Sequence, residues 1–382
     1  MSAAERIVIT GADGFFGWHL RARLLALRPE AQVRSLDPDS FADDATLATA
    51  LAGATAVVHL AGVNRGTDEE VATINPALAE RLTDALDRAC VTPVVVYADS
   101  IHAARDTTYG SAKRAAGERL LAWGERTGAA VADLRFPNLF GECGRPNYNS
   151  AVATFCHDLV AGRPSEVNPE GSTELFHVQD AAASVLEAID RRASGTVTLA
   201  GERVAIPELH ARLRRLHDSY GQAHFPDLDD RLDLRLFNQL RAAGFPGNTP
   251  QQLTAHRDTR GMFVEVARGF GATQTSFSAT APGITRGDHF HLDKVERFVV
   301  LHGTAVIRLR RLFTDDVHEW VVRGDEPVAI DMPPLHTHNI TNTGDDELLT
   351  IFWANDHFDP AAPDTFVEPV GQPTSPAVGV AP

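Results

Sequence analysis

Two closely spaced histidines and a carboxylate give this chain its most conspicuous chemistry. In GDHFHLDKVERF, Gly287 to Phe298, His289 and His291 flank Phe290, and Glu296 follows five positions after His291. Alternation along a strand would put His289 and His291 on one face. Imidazoles joined by a carboxylate suit Zn²⁺ or another first-row divalent ion. A fourth ligand must come from another strand, and HTHN offers His336 and His338. The same side chains could instead fill a metal-free barrel. Four protein ligands would also close a tetrahedral site, which describes a structural ion rather than a catalytic one.

A different chemistry opens the chain. TGADGFFGWHL carries Gly11, Gly14 and Gly17 in GxxGxxG spacing, with Asp13, Phe15 and Phe16 between them. Glycine permits a tight turn and a close backbone approach to a pyrophosphate, and a following helix offers free N–H groups and its positive dipole end. Asp37 stands 20 residues after Gly17. Its carboxylate could accept both adenosine ribose hydroxyls and repel a 2′-phosphate, which favours NADH over NADPH. It could equally open the DPDS turn. In YGSAK, Tyr109 and Lys113 are four apart, on one helix face. A nearby ammonium lowers a phenol's pKa, so the tyrosine could pass a proton to a substrate oxygen. Ser100, at the end of an apolar run, could donate a hydrogen bond to the same oxygen.

The elements that must hold these groups follow from periodicity. RIVIT (6–10), AQVRSLD (31–37), ATAVVHLAG (54–62), TPVVVYADS (92–100) and AVADLRF (130–136) read as strands. Helical patterns lie between them, in WHLRARLLAL, in ALAERLTDALDRA (77–89) and from Tyr109 to Gly124. Alternation of this kind predicts βαβ units and a parallel sheet. FPGNTPQQ (245–252) reads as a linker. Beyond it, from MFVEVAR (262–268) to LLTIFWA (348–354), short β-rich runs predict a sandwich or small barrel. Three regions result: a reductase domain over 1–246, a β domain over 247–370, and a disordered tail over 371–382.

Composition narrows the partners. Over 382 residues the net charge is −16, which excludes nucleic acid and anionic membrane surfaces, since both need basic protein. Three cysteines without CxxC spacing suit a reducing compartment. With no signal-type segment and no apolar run of ~18 residues, a cytoplasmic location is expected.

The first 240 residues resemble the extended short-chain dehydrogenase/reductase family. TGADGFFG, HLAG (59–62), Ser100, Tyr109, Lys113, RFPNLFG (135–141) and FHVQD (176–180) fall in that family's order. The resemblance implies a Rossmann domain, a nicotinamide cofactor and a nucleotide-sugar substrate. It makes Tyr109 the acid, Lys113 its partner on the nicotinamide ribose, and Ser100 the group that polarises the carbonyl. Leu60, Ala61 and Gly62 join the cofactor set. Asn64, Arg65, Asn138, Arg145 and His177 are the expected substrate-side residues. The nine-residue step from Ser100 to Tyr109 is short for the family, leaving Thr107 and Thr108 as alternative hydroxyls.

The C-terminal region resembles the cupin superfamily, a double-stranded β-helix. Its first motif matches Gly283, His289, His291, Glu296 and Gly303. Its second maps to Pro333, His338 and Asn342, with Leu335 where glycine is usual. The resemblance makes His338, rather than His336, the fourth ligand. The two halves in this order resemble bifunctional capsule-precursor enzymes, through HLAGVNR, RPNYNSAVATFC, PGITRGDHFH, AVIRLR, THNI and FWANDHFDPAAPDTF. That implies a cupin epimerising C3 of a UDP-4-keto-6-deoxy-HexNAc, NAD(P)H-dependent reduction of C4 in the first domain, a 2-acetamido-2,6-dideoxy-L-talose product and a homodimer. A reductase whose cupin is only structural or dimerising is the alternative. His336 stands where those enzymes carry tyrosine, and no tyrosine follows Tyr220. His336 is therefore the expected proton-moving residue, with Lys294 as second candidate.

Overall fold

Strand β1 (Arg6–Thr10) is buried at every position after Arg6, because a parallel strand in mid-sheet is covered on both faces. The computed structural model that shows this describes residues 5–221, 223–259, 261–269, 273–371 and 378–379. Around β1 the first unit alternates as expected: α1 (Phe15–Leu27), β2 (Gln32–Leu36), α2 (Pro38–Ala42), α3 (Asp44–Leu51), β3 (Ala56–His59), α4 (Asp68–Ala89), β4 (Val94–Ser100), α5 (Thr108–Thr127) and β5 (Val131–Phe136). Then come β6 (Asn138–Phe140), α6 (Ala151–Val160), β7 (Ser172–His177), α7 (Val178–Asp190), β8 (Gly195–Thr198) and β9 (Glu202–Ala205). Six strands form a parallel sheet in the order β2-β1-β3-β4-β5-β8, and β6, β7 and β9 form a small separate sheet.

Apolar clusters fill both sides of the large sheet. Ile7, Ile9, Val58 and Val96 face one, and Val8, Val57, Val95 and Tyr97 face the other. The chain leaves β1 toward β2 on one side and reaches β3 on the other. The crevice at the ends of β1 and β3 is thus the topological switch point, where α/β sheets bind ligands. The helix expected at 77–89 begins earlier, at Asp68. Thr67 and Glu70 form a reciprocal capping box, and the helix runs through Pro76.

The second unit gathers α6 with α8 (Ile206–Ser219), α9 (Arg231–Gly244) and everything after them. By their contacts, residues 1–140 and 172–204 form one unit, and 141–171 and 205–382 the other. The expected boundary at 246 falls inside the second unit. The reason is α9, which buries cationic side chains against the β region: Arg241 donates to the Met332 carbonyl at 3.1 Å, and Arg235 pairs with Asp293 at 2.6 Å.

That region holds β10 (Gln251–Gln252), β11 (Ala255–Asp258), β12 (Gly261–Val264), β13 (Gln274–Thr280), β14 (Thr285–Phe290), β15 (Glu296–His302), β16 (Thr304–Arg311) and β17 (Val317–Arg323). It continues with β18 (Val328–Met332), β19 (His336–Asn342), β20 (Leu348–Ala354), β21 (Phe366–Val367) and β22 (Val378–Gly379). Two sheets, β10-β18-β15-β20-β13 and β21-β14-β19-β16-β17-β22, enclose one apolar core. Phe298, Ile330 and Leu348 enter it from the first sheet, and Ile307, Trp320 and Ile340 from the second. The residues expected as a linker are only partly one, since Gln251 and Gln252 pair with β18. The expected disordered tail lies largely outside the described residues. No described helix is long and apolar enough to cross a membrane.

His59 locks the switch point and carries a pH dependence. Its Nδ1 lies 2.8 Å from the Thr10 hydroxyl, which in turn accepts the Ala61 N–H at 3.2 Å. Burial, reinforced by the Lys113 charge, pushes the imidazole down to about 3. The unfolded chain therefore binds a proton from about pH 6.5 downward that the folded chain refuses until about 3. Stability is full above 6.5 and declines as pH falls, by about 1.4 kcal/mol per pH unit at most. Urea unfolding at pH 7.5 and 5.5 should show wild type losing about 1 kcal/mol more than His59→Gln on acidification. Equal losses would remove His59 from this account.

Candidate functional site

The first βα turn is built for close approach. Gly11 sits at φ +69°, and a Cβ there would lie 2.8 Å from the Ala61 backbone nitrogen. A Cβ on Gly17 would lie 2.3 Å from the Gly11 carbonyl oxygen and 2.6 Å from the Ala12 Cα. The turn, the helix start and the Leu60–Gly62 loop are thus packed backbone to backbone. Gly14 caps α1 without a side-chain hydrogen bond, so no side chain occupies the N–H groups a pyrophosphate would take. Asn75 holds the facing loop, accepting from Val63 N and donating to Val63 O, each at 2.9 Å. Phe16 packs edge-on against Phe136 and Phe15 against His19, while exposed Asp13 pairs with Arg21 at 2.8 Å. These residues fit a dinucleotide. Asp37 ends β2 as expected, yet one carboxylate oxygen accepts Ser40 N at 2.7 Å and caps α2, the turn role that competed with ribose binding.

Ser100, Tyr109 and Lys113 meet at the C-terminal end of β4. Ser100 caps the 3-10 turn Ile101–Ala104, accepts His102 N at 3.2 Å and hydrogen-bonds Tyr109. That turn packs against α5, and a Cβ on Gly110 would meet the His102 carbonyl at 2.3 Å. The short step from Ser100 to Tyr109 is therefore closed by a compact turn that needs glycine at 110. Thr107 is consumed as the cap of α5, accepting Gly110 N at 3.1 Å.

Lys113 is almost fully buried. It donates to the Ala98 carbonyl at 2.7 Å, lies 4.1 Å from the Tyr97 ring centroid, and faces Asp99 at 3.9 Å. Burial pushes its ammonium down to about 8, against the pull of Asp99 and Asp133. The phenol of Tyr109 departs from expectation. Burial and the Asp99 charge raise its pKa, and the Ser100 hydrogen bond offsets only part of this. Asp99 itself is raised by burial, and neither of its oxygens accepts a hydrogen bond from a described residue. Arg135 lies 3.4 Å from Asp99 and 3.3 Å from Asp133. This acidic pair beneath the tyrosine was missed in the sequence. Its only signal was an acid in an otherwise apolar strand, one residue before Ser100.

The substrate-side residues scatter. Asn64 and Arg65 are exposed just after β3. Asn138 is half-buried and donates to the Thr173 hydroxyl at 3.0 Å. His177 is buried, and its Nδ1 caps α7 by accepting Gln179 N at 3.3 Å. Arg145 belongs to the second unit, with its guanidinium 5.0 Å from the Tyr148 ring.

In the barrel His289, His291, Glu296 and His338 converge, with all four ligand atoms within 4.8 Å of one another. His289 lies across from His338 in the β14–β19 ladder, after a bulge at Gly287 and Asp288. Glu296 opens β15 in the facing sheet. Its Oε2 is 2.9 Å from His291 Nε2 and 3.7 Å from His338 Nε2. Burial opposes ionisation of Glu296, but the two imidazoles hold it far below the usual carboxylate range. His338 Nε2 is buried and finds no hydrogen-bond partner among the described residues. An orphaned lone pair aimed at a carboxylate and two more imidazoles fits a divalent cation bound by three nitrogens and one oxygen.

His336 stands outside this quartet. It is 3% exposed, gives its Nδ1 proton to the Pro334 carbonyl at 2.9 Å, and packs against Phe245 with ring centroids 4.8 Å apart. Burial pushes it down to about 4. Lys294 is tied down, donating to Pro363 O at 2.7 Å and the Thr365 hydroxyl at 3.2 Å.

A parallel Rossmann sheet with a glycine turn at its switch point, followed by an antiparallel cupin-like barrel, defines the class. The model of the NAD dependent epimerase/dehydratase family matches residues 7–201, and that of a polysaccharide biosynthesis C-terminal domain matches 256–366. A Pseudomonas aeruginosa protein, UDP-2-acetamido-2,6-beta-L-arabino-hexul-4-ose reductase, is 33% identical over 372 residues, spanning 96% of this chain and 99% of its own. The capsular polysaccharide assembling protein CapF from Staphylococcus aureus superposes with a TM-score of 0.60 at 31% identity, over 95% of this chain and 99% of that one. RMD from Pseudomonas aeruginosa, solved with NADPH, shares the fold at a TM-score of 0.54 and 18% identity, over 63% of this chain and 98% of its own. The chain belongs to the NAD-dependent epimerase/dehydratase family, and the family's nicotinamide dinucleotide is the cofactor its first unit takes.

Two substitutions test the sites separately. Gly17→Ala should weaken NADH and NADPH at least tenfold in a fluorescence titration while circular dichroism stays unchanged; wild-type affinity would remove the turn from the cofactor site. His338→Ala should lose bound zinc by elemental analysis and His336→Ala should keep it. The reverse pattern would move the fourth ligand to His336.

Proposed function

We propose that the first unit reduces the C4 ketone of a UDP-activated 4-keto-6-deoxy amino sugar. Bound NAD(P)H supplies the hydride to C4. Tyr109 gives its proton to the C4 oxygen, and Ser100 donates a hydrogen bond to that oxygen beforehand. Lys113 holds the nicotinamide ribose and keeps positive charge beside the phenol. The observation that carries the reading is the meeting, at the end of β4, of half-buried Ser100 and Tyr109, which hydrogen-bond each other, with buried Lys113. A raised Tyr109 pKa suits this direction, because a reductase needs its acid protonated at rest. Relatedness over nearly the whole chain to a reductase of a UDP-linked 4-ulose supports the substrate class. The negative charge of Asp37 beside a capped turn favours NADH over NADPH.

In the barrel, we propose C3 epimerisation of the same sugar before reduction. The C3 proton is acidic only while C4 is a ketone, because its loss gives an enolate. Epimerisation therefore precedes reduction, and the product is of the 2-acetamido-2,6-dideoxy-L-talose type. His336 is the base: with Nδ1 committed to Pro334, its Nε2 lone pair remains. An ion held by His289, His291, Glu296 and His338 supplies Lewis acidity. A second reading makes the barrel a structural, dimer-forming module, with the active protein a cytoplasmic homodimer. It is favoured by the near-complete burial of His336 and by the locking of Lys294.

Incubation with a UDP-4-keto-6-deoxy-HexNAc in D₂O separates these readings. Without cofactor, deuterium should enter C3; none would leave the structural reading. With NADH or NADPH, cofactor oxidation should follow, and its absence with any such sugar would end the reductase proposal. Tyr109→Phe should cut reduction at least 100-fold and leave exchange intact. Loss of both would refute two separate sites.

A further inference from the structure

The segment joining His291 to Glu296 contains no strand, so the spacing of two ligands depends on what fixes residues 292–295. One side chain from far along the chain does most of this. Asp364 Oδ1 accepts Leu292 N at 2.9 Å, and its Oδ2 accepts Asp293 N at 3.0 Å and Lys294 N at 2.8 Å. Its backbone carbonyl lies 2.5 Å from His291 Nδ1. A carbonyl can only accept, so Nδ1 carries a proton, and the ring is turned to face Glu296 with its Nε2, 2.9 Å away. Asp364 therefore sets both the loop and the ring orientation of a ligand.

The rest of the surroundings serves the same end. Asn355 accepts Val295 N at 2.8 Å, completing the run of answered N–H groups. Lys294 Nζ clips to Pro363 and Thr365 on either side of Asp364. Phe366 and Val367 pair with Phe290 and His289. From the opposite direction Asn238 donates to the Asp293 carbonyl at 2.7 Å. A carboxylate that collects three adjacent amide protons resembles the anion in a helix-terminal nest, and charge-assisted bonds of this kind are stronger than neutral ones.

We propose that Asp364 is a positioning residue of the metal site, organising the His291–Glu296 loop into a ligand-ready form. It rests on the reading of His289, His291, Glu296 and His338 as a metal site. Asp364 touches no metal and no substrate. Its contribution is that His291 and Glu296 need not be ordered when the cation arrives, and loss of such outer contacts typically weakens binding 10- to 100-fold.

The test measures Zn²⁺ affinity of the full-length protein by competition with a chromophoric chelator, alongside the melting temperature of the metal-free form. Asp364→Ala should weaken zinc 10- to 100-fold. Asp364→Asn, which keeps one acceptor oxygen, should fall between it and wild type. Asp359→Ala is the control: Asp359 accepts Ala361 N at 2.8 Å in the same segment and touches nothing in the loop. It should bind zinc like wild type even if its melting temperature drops. Wild-type affinity in both Asp364 variants, or equal weakening in Asp359→Ala, would overturn the proposal and leave Asp364 a general staple. If Asp364→Ala does not fold, the Asn variant decides. Wild-type protein that takes up no zinc would overturn the metal reading itself, an outcome distinct from the others.

Discussion

Lys113 carries a charge into a place that water scarcely reaches, and the first site is arranged around that cost. An ammonium in such surroundings must be answered by fixed groups. The Ala98 carbonyl, the Tyr97 ring face and the Asp99 carboxylate do so here. Asp99 then needs an answer of its own, and Arg135 with Asp133 and Thr196 extends the network along the sheet edge. Tyr109 pivots on this ledger of charges. Burial and Asp99 hold its proton on, the Ser100 hydrogen bond draws it off, and the former win. That balance suits an acid that waits protonated for a ketone.

The same constraint shapes the barrel with different atoms. Three imidazoles and a carboxylate are grouped inside a shell of Phe298, Leu309 and Met332. The neighbouring imidazoles offset the burial of Glu296, while His338 Nε2 has no hydrogen-bond partner among the described residues. Lys113 meets fixed partners within the chain, whereas no described residue hydrogen-bonds His338 Nε2, which faces the other three groups of the quartet. Around the quartet every loop amide from Leu292 to Val295 is answered by Asp364 or Asn355. The ligands are held rigidly by a loop that has no regular structure.

Most of this architecture was legible because it is local. RIVIT, the glycine spacing and the strand-end serine each state their conformation within a few residues, and the structure carries them as strand, turn and cap. The His-Phe-His run and Glu296 fall together because a short loop carries the chain from β14 directly into β15 of the facing sheet. What escaped was remote or a matter of competition. Asp364 lies far from the loop it holds, in a stretch of prolines and acids with no period. Asp37 presented two uses that no pattern could rank, and in the structure one of its oxygens caps α2 through the Ser40 amide. The Tyr109 pKa could not be read from YGSAK, because the opposing charge comes from the neighbouring strand. The division into units escaped for a similar reason: α9 looks like any amphipathic helix, and only its buried arginines show that it belongs with the barrel.

In the roles proposed for them, His336 and Tyr109 illustrate why two proton-moving residues need different settings. In the proposed reduction Tyr109 would spend one proton per turnover and have to recover it, so its site would need a chain of polar groups. Lys113, Asp99 and Ser100 supply one. A base that epimerises takes a proton from one face of C3 while another reaches the opposite face, and its own pKa must lie close enough to that of the enolising carbon to share it. Burial keeps His336 neutral at about 4, which leaves it available as an acceptor but weakly basic. Such a base gains reach only if the ketone is strongly polarised, so that the C3 proton is made more acidic. The four converging ligands of the same barrel are the groups able to hold something that polarises it. On the proposed reading, a cation held by that quartet would serve both His336 and the His338 nitrogen.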